Sequence, residues 1–209
     1  MMIWDYIRAR DELPAEFPIS ERRAGQLARI KSEKRRAQAL WAEYLLMDML
    51  RRYAPHVSLP PVIGESRRGK PYLADYAGPE LSLSHSGEYV ACALSDRPVG
   101  IDIQIMRPYR EGIAHRYFAP SELARLEEAQ DKTIAFYELW TAKESLIKAA
   151  GLSLGEGLEC PIDLKYQAGT SVAFVSKAGK GYRIRARQFM PGYMCAIAQE
   201  ESLEKGAFE

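Results

Sequence analysis

From Met2 to Arg8 the side chains alternate as they do along a strand. Pro14 and Pro18 interrupt the chain, and a long helical tract is expected from about Glu21 to Tyr53. In its second part, Leu40 to Leu50, apolar residues cover a wide face, as they do in a helix that packs into a core. Pro55, Pro60, Pro61 and Gly64 mark a loop. Short strands are expected at about 81–84, 89–95 and 99–104. A helix is expected at about 121–129, with Pro120 suited to its first turn and Ser121 as a cap; another at about 133–150 is capped by Asp131 and ended by Gly151. Strands at about 162–166, 171–175, 181–189 and 193–199 close the chain.

The order strand, helix, strands, then helix, strands reads as a duplication. Gly87-Glu88-Tyr89-Val90-Ala91-Cys92-Ala93 is similar to Gly192-Tyr193-Met194-Cys195-Ala196-Ile197, and Leu40-Trp41 to Leu139-Trp140. Small apolar residues also recur by chance in buried strands, so these residues alone leave both explanations open.

Composition narrows the class without naming a function. The chain has 209 residues, 47% hydrophobic and 27% charged, which excludes wholesale disorder and permits a substantial core. A net charge of +1 does not predict a nucleic-acid or membrane partner for the molecule as a whole. Charged residues follow Met1 too early for a signal peptide, and no long uncharged apolar run follows, so a soluble cytoplasmic protein is expected. Cys92, Cys160 and Cys195 lack Cys-x-x-Cys spacing, so neither a disulfide framework nor a zinc site is indicated.

Two segments concentrate the candidate chemistry. Gly100-Ile101-Asp102-Ile103-Gln104 aims Asp102 and Gln104 from one face of a strand, and Glu144 and Lys148 stand four apart on one face of the helix Trp140–Lys148. Two carboxylates and a carboxamide can form an all-oxygen cavity for a hard divalent ion, with a lysine one turn away to meet an anion. In an arbitrary helix a glutamate–lysine pair at this spacing is usually a solvated surface pair. Likewise the basic run Arg22, Arg23, Arg29, Lys31, Lys34, Arg35 and Arg36 is usually a solvated face.

These segments resemble the signature of the 4′-phosphopantetheinyl transferases of the surfactin-synthetase-activating (Sfp-like) type. Gly69-Lys70-Pro71-Tyr72 fits that family's Gly-Lys-Pro turn and Leu83-Ser84-His85-Ser86-Gly87 its Ser-His-Ser segment, so the resemblance covers roughly residues 69 to 155. The third metal position, often glutamate in the family, is Gln104 here. The resemblance implies an α+β fold built as a pseudo-twofold tandem duplication, each half a long helix on a small, mostly antiparallel sheet. It implies an N-terminal half, 1–103, contacting coenzyme A phosphates, a C-terminal half, 104–209, carrying the catalytic helix, and an active site at their junction.

The implied activity is Mg-dependent transfer of 4′-phosphopantetheine from coenzyme A to a serine of an apo acyl or peptidyl carrier protein, by a monomer. By this resemblance Asp102, Gln104 and Glu144 hold Mg²⁺, Glu144 is the candidate base, and Lys148 meets the departing phosphate. Lys70, Ser84, His85 and one of the N-terminal arginines, Arg23, would contact coenzyme A. Lys143 also belongs to the pattern, with a functional or a structural role equally open. Residues from Tyr109 to Phe118, with Arg110, Arg116 and Tyr117, are where a carrier surface is expected. The rival readings are a coenzyme A-binding relative without transferase activity and a basic interaction module.

Overall fold

The computed structural model describes residues 1–9, 19 and 21–202; the side chains of residues 21–23 lie outside the description, and with them the expectation placed on Arg23. The chain divides into two compact units, Met1–Asp96 and Arg97–Glu209. The division expected at 103/104 therefore falls inside a strand of the second unit, and Asp102 belongs to the same unit as Glu144.

In the first unit, β1 (Met2–Arg8), β4 (Glu80–Ser86) and β5 (Tyr89–Ser95) form an antiparallel sheet in the order β1-β5-β4; β2 (Ile63–Glu65) and β3 (Pro71–Leu73) form a separate hairpin. The expected single helical tract is two helices, α1 (Glu21–Ala28) and α2 (Glu33–Tyr53). Ser32 makes the break: its backbone is extended and its hydroxyl accepts the Arg35 N–H, the role of an N-cap. Trp41, Leu45, Leu46, Met49 and Leu50 of α2 pack with Leu81, Val90, Cys92 and Leu94 of the sheet.

In the second unit, β6 (Val99–Ile105), β7 (Lys165–Gln167), β8 (Thr170–Lys177), β9 (Lys180–Met190) and β10 (Tyr193–Glu201) form an antiparallel sheet in the order β6-β10-β9-β8-β7. Helices α3 (Glu111–Tyr117), α4 (Pro120–Glu128), α5 (Lys132–Ala150) and α6 (Leu154–Leu158) lie between β6 and β7 in sequence. Asp131 caps α5 by accepting the Ile134 N–H at 3.0 Å, and α5 ends at Gly151, as expected. At α4 the cap expected of Ser121 is not formed: the N-cap is Ala119, and Glu122 reaches back to accept its N–H at 2.7 Å. Leu139, Ala142 and Leu146 of α5 pack with Ile184, Ala186, Ala196 and Ala198 of the sheet.

The two units share one topology. In each, a first strand leads to a helix, and a later hairpin returns so that its last strand lies beside the first: β1-β5-β4 in one, β6-β10-β9 in the other. The similar segments sit on the equivalent strands β5 and β10, and each is entered through a glycine with positive φ, Gly87 (59°) and Gly192 (77°). The architecture is α+β, with a long helix packed on an antiparallel sheet in each unit.

One residue sets how closely α5 approaches its sheet. A Cβ on Gly100 would overlap the carbonyl oxygen of Ser145 and stand 2.5 Å from Ala149 N and 2.9 Å from Lys148 Cβ. Backbone cannot rotate away as a side chain can, so the glycine is what lets this helix lie against β6. Gly100→Ala is expected to cost about 3 kcal/mol, or roughly 6–12 °C in Tm for a chain of this size. A melting curve within two degrees of the parent would contradict this account of the contact.

Candidate active site

Along β6, Gly100, Asp102 and Gln104 share the face that meets α5, while Ile101 and Ile103 are fully buried on the other. The close packing at Gly100 brings Lys148 onto the strand. Its Nζ donates to the Ile101 carbonyl oxygen at 2.9 Å and to Asp102 Oδ1 at 2.9 Å. The other carboxylate oxygen of Asp102, Oδ2, accepts the Gln104 amide N–H at 3.2 Å. Asp102 is buried, so its charge is met by protein groups more than by water.

Glu144 lies one turn before Lys148 on α5. Burial pushes its carboxyl above the usual range, the negative charge of Asp102 adds to this, and Lys148 opposes it. Asp102, Gln104, Glu144 and Lys148 are thus one electrostatic cluster on β6 and α5. Two carboxylates close enough to raise one of them, flanked by a carboxamide, supply the oxygen donors that a hard divalent cation prefers, so these residues fit Mg²⁺. Among the described residues no group of three or more His, Cys, Asp or Glu is gathered for a metal. Gln104 turns its amide N–H, not its oxygen, toward Asp102; a half-turn about its last side-chain bond would exchange the two.

Lys143, adjacent in sequence to Glu144, is fully buried and structural. Its Nζ donates to the carbonyl oxygens of Leu158 and Cys160, both at 2.8 Å, and pairs with Glu122 Oε1 at 2.9 Å. Glu122 Oε1 also accepts the Ile162 N–H at 2.8 Å. The pair therefore ties α5 to the start of α4 and to the segment after α6. Glu122 carries no motif; the only signal for it was a glutamate three residues into a helix whose cap lacks a side-chain acceptor.

Cys92 and Cys195 offer no rival nucleophile. Burial pushes the thiols of Cys92 and Cys195 far up, and the nearby charge of Asp102 adds to the shift at Cys195.

In the first unit, Lys70 lies in the turn between β2 and β3, with its N–H on Ser66 Oγ and its ammonium 3.1 Å from Glu80 Oε2. It thus has a protein counter-charge. Ser84 is buried on β4, and His85 is exposed near the end of that strand, just before the turn at Gly87. Glu80 and His85 are five residues apart along β4, about 16 Å in extended chain, so the strand does not bring Lys70 and His85 together.

The segment expected to receive a carrier divides in two. Phe118 is buried against Phe136, and Tyr117 lies edge-on to Trp140, so these aromatics belong to packing around α5. Arg110 and Arg116 are exposed.

With this geometry in place, comparison with known proteins is specific. Residues 98–198, the segment that carries β6, α5 and most of β10, match the family model of the 4′-phosphopantetheinyl transferase superfamily. A 4′-phosphopantetheinyl transferase of Bacillus subtilis is 40% identical over 102 residues, 48% of this chain and 44% of the relative. The 4′-phosphopantetheinyl transferase Sfp of Bacillus subtilis strain 168 is 34% identical over 136 residues, 62% of this chain and 58% of the relative. The 4′-phosphopantetheinyl transferase gsp of Aneurinibacillus migulanus is 36% identical over 134 residues, 61% of this chain and 54% of the relative. The chain spans about half the length of the curated relatives it matches. These relatives support the resemblance to the Sfp-like type. No described helix is long and apolar enough to cross a membrane.

Proposed function

We propose that this protein transfers the 4′-phosphopantetheine moiety of coenzyme A to a serine hydroxyl of an apo acyl or peptidyl carrier protein and releases 3′,5′-ADP. The observation that carries the reading is the cluster on β6 and α5, where Lys148 bonds Asp102 and the charges of both act on Glu144, inside the part of the chain that matches the superfamily. The serine oxygen forms the new bond to the β-phosphorus, the bridging P–O bond breaks, and its electron pair leaves with 3′,5′-ADP. Asp102 and Glu144 would hold Mg²⁺, with Gln104 beside them. When bound, the ion neutralises charge on the diphosphate as the leaving phosphate gains more.

Glu144 takes the serine proton, directly or through a water. A carboxyl raised by burial and by Asp102 is a better base near neutral pH than an exposed glutamate would be. Lys148 stabilises the departing phosphate. Lys143 acts only by fixing the helix that carries them. Lys70, Ser84 and His85 would contact coenzyme A. Arg110 and Arg116 offer basic contacts to an acidic carrier. We further place the protein in the cytoplasm as a monomer, without a nucleic-acid or membrane partner.

The direct test of the acceptor is a carrier whose target serine is replaced by alanine: modification should vanish with the hydroxyl. His85→Ala and Lys70→Ala are expected to raise the KM for coenzyme A more than they lower kcat, because ground state and transition state are held alike. For Lys70 the release of Glu80 offsets part of the loss, so its effect should be the smaller. Calorimetry showing unchanged coenzyme A affinity in both variants would remove these residues from the site.

A further inference from the structure

Asp102 already holds a cation in this structure, and that cation is the ammonium of Lys148. The contact is confined: the Asp102 side chain is 4% exposed, the Lys148 side chain 28%, and the same ammonium is also tied to the Ile101 carbonyl oxygen. Gln104 donates to the second carboxylate oxygen, so protein groups partner both oxygens of Asp102. We propose that Lys148 is a built-in counter-ion that occupies Asp102 until a phosphate draws it away, so that a divalent cation and a diphosphate bind this site strongly only together. The inference rests on the reading of the site given above and adds an order of events to it.

Charge on the named groups decides the matter. With both carboxylates ionised, Asp102, Glu144 and Lys148 sum to one negative charge. A divalent cation entering alone must share Asp102 with an ammonium a few ångströms away, and two like charges at that distance repel strongly wherever water is scarce. An arriving diphosphate gives Lys148 an anion to turn to and gives the cation further oxygens. The repulsion is then relieved from both sides. Metal and diphosphate therefore each raise the affinity of the other, and the coupling is reciprocal.

Gln104 gains a meaning beyond a missing ligand. Two carboxylates, one lysine and a divalent cation sum to one positive charge, which suits a polyanion; a glutamate at 104 would bring the sum to zero. The neutral side chain keeps Asp102 in place through its N–H while leaving the loaded site cationic. This chain thereby favours the diphosphate at the expense of the metal alone.

The test uses Mn²⁺ as the metal, with free ion read by electron paramagnetic resonance, and coenzyme A titrated by calorimetry with and without Mn²⁺. The parent is expected to bind Mn²⁺ weakly alone and coenzyme A much better in its presence. Lys148→Met should tighten Mn²⁺ alone by about tenfold or more. It should also shrink the gain that Mn²⁺ gives to coenzyme A binding. Lys148→Arg, which keeps the charge, should stay near the parent for Mn²⁺ alone. Lys148→Gln provides a second neutral variant able to donate to Ile101, should the methionine variant fold poorly by thermal unfolding. If neutral, folded variants bind Mn²⁺ no tighter than the parent, or keep the full coupling to coenzyme A, the counter-ion role is wrong. Transfer to a carrier can persist in that event, so loss of this inference and loss of the proposed function are separate results.

Discussion

Glu144→Gln is expected to lower phosphopantetheine transfer by about a thousandfold or more while leaving the fold intact. A positioned base alone is typically worth about 10²–10⁴-fold, and under the proposed function the same substitution would also remove a negative ligand of the metal. Stability should move the other way. Burial and the charge of Asp102 raise the Glu144 carboxyl in the folded chain, so its contribution favours folding below the ordinary carboxylate range and is lost as pH rises through the raised value. In metal-free buffer at pH 8 the variant should melt at the parent's temperature or above it. That advantage should fade as the pH falls toward the ordinary carboxylate range. Near-normal turnover at limiting magnesium would remove Glu144 from the site; a variant that melts well below the parent at pH 8 would mean the side chain is structural.

Lys143→Met is expected to have the largest effect on stability, about 3–5 kcal/mol. Lys143 and Glu122 are 0% and 1% exposed, so the substitution leaves a buried carboxylate without its cation, and the carbonyl oxygens of Leu158 and Cys160 without their donor. Adding Glu122→Gln removes the orphaned charge and should recover a large part of the loss. Chemical denaturation of the two variants measures both. Equal stability of single and double variants would show that the ion pair is not what the single change disrupts.

The contrast between these neighbouring side chains marks where reading the sequence stops. Strand alternation correctly put Asp102 and Gln104 on one face, and helical spacing put Glu144 and Lys148 together, because both follow from backbone geometry alone. The helical period gives the direction of Lys143 but not its depth, and its counter-charge stands 21 positions earlier on another helix. The motif named Lys148 as a phosphate contact; that it first serves Asp102 depends on a strand–helix approach which Gly100 permits and no spacing measures. The function of Gln104 as a donor was equally hidden, since a carboxamide presents an oxygen or an N–H with equal ease.

Fold followed the same division. The central strands β5 and β10 and their entry glycines were visible as a repeat, since buried strands and tight turns restrict composition strongly. The break between α1 and α2 was missed because a serine N-cap begins α2, with neither glycine nor proline to mark the interruption. The short elements β2, β3, α3 and α6 were missed because three to seven residues are too few to establish a period.

The measurement closest to the central claim is the intact mass of an apo carrier protein incubated with this protein and coenzyme A. With magnesium present the carrier should gain one 4′-phosphopantetheine, matched by release of 3′,5′-ADP, and with the metal chelated it should gain nothing. Coenzyme A binding without any mass gain, across a panel of acyl and peptidyl carriers, would contradict the assignment and leave a binding protein on a transferase scaffold.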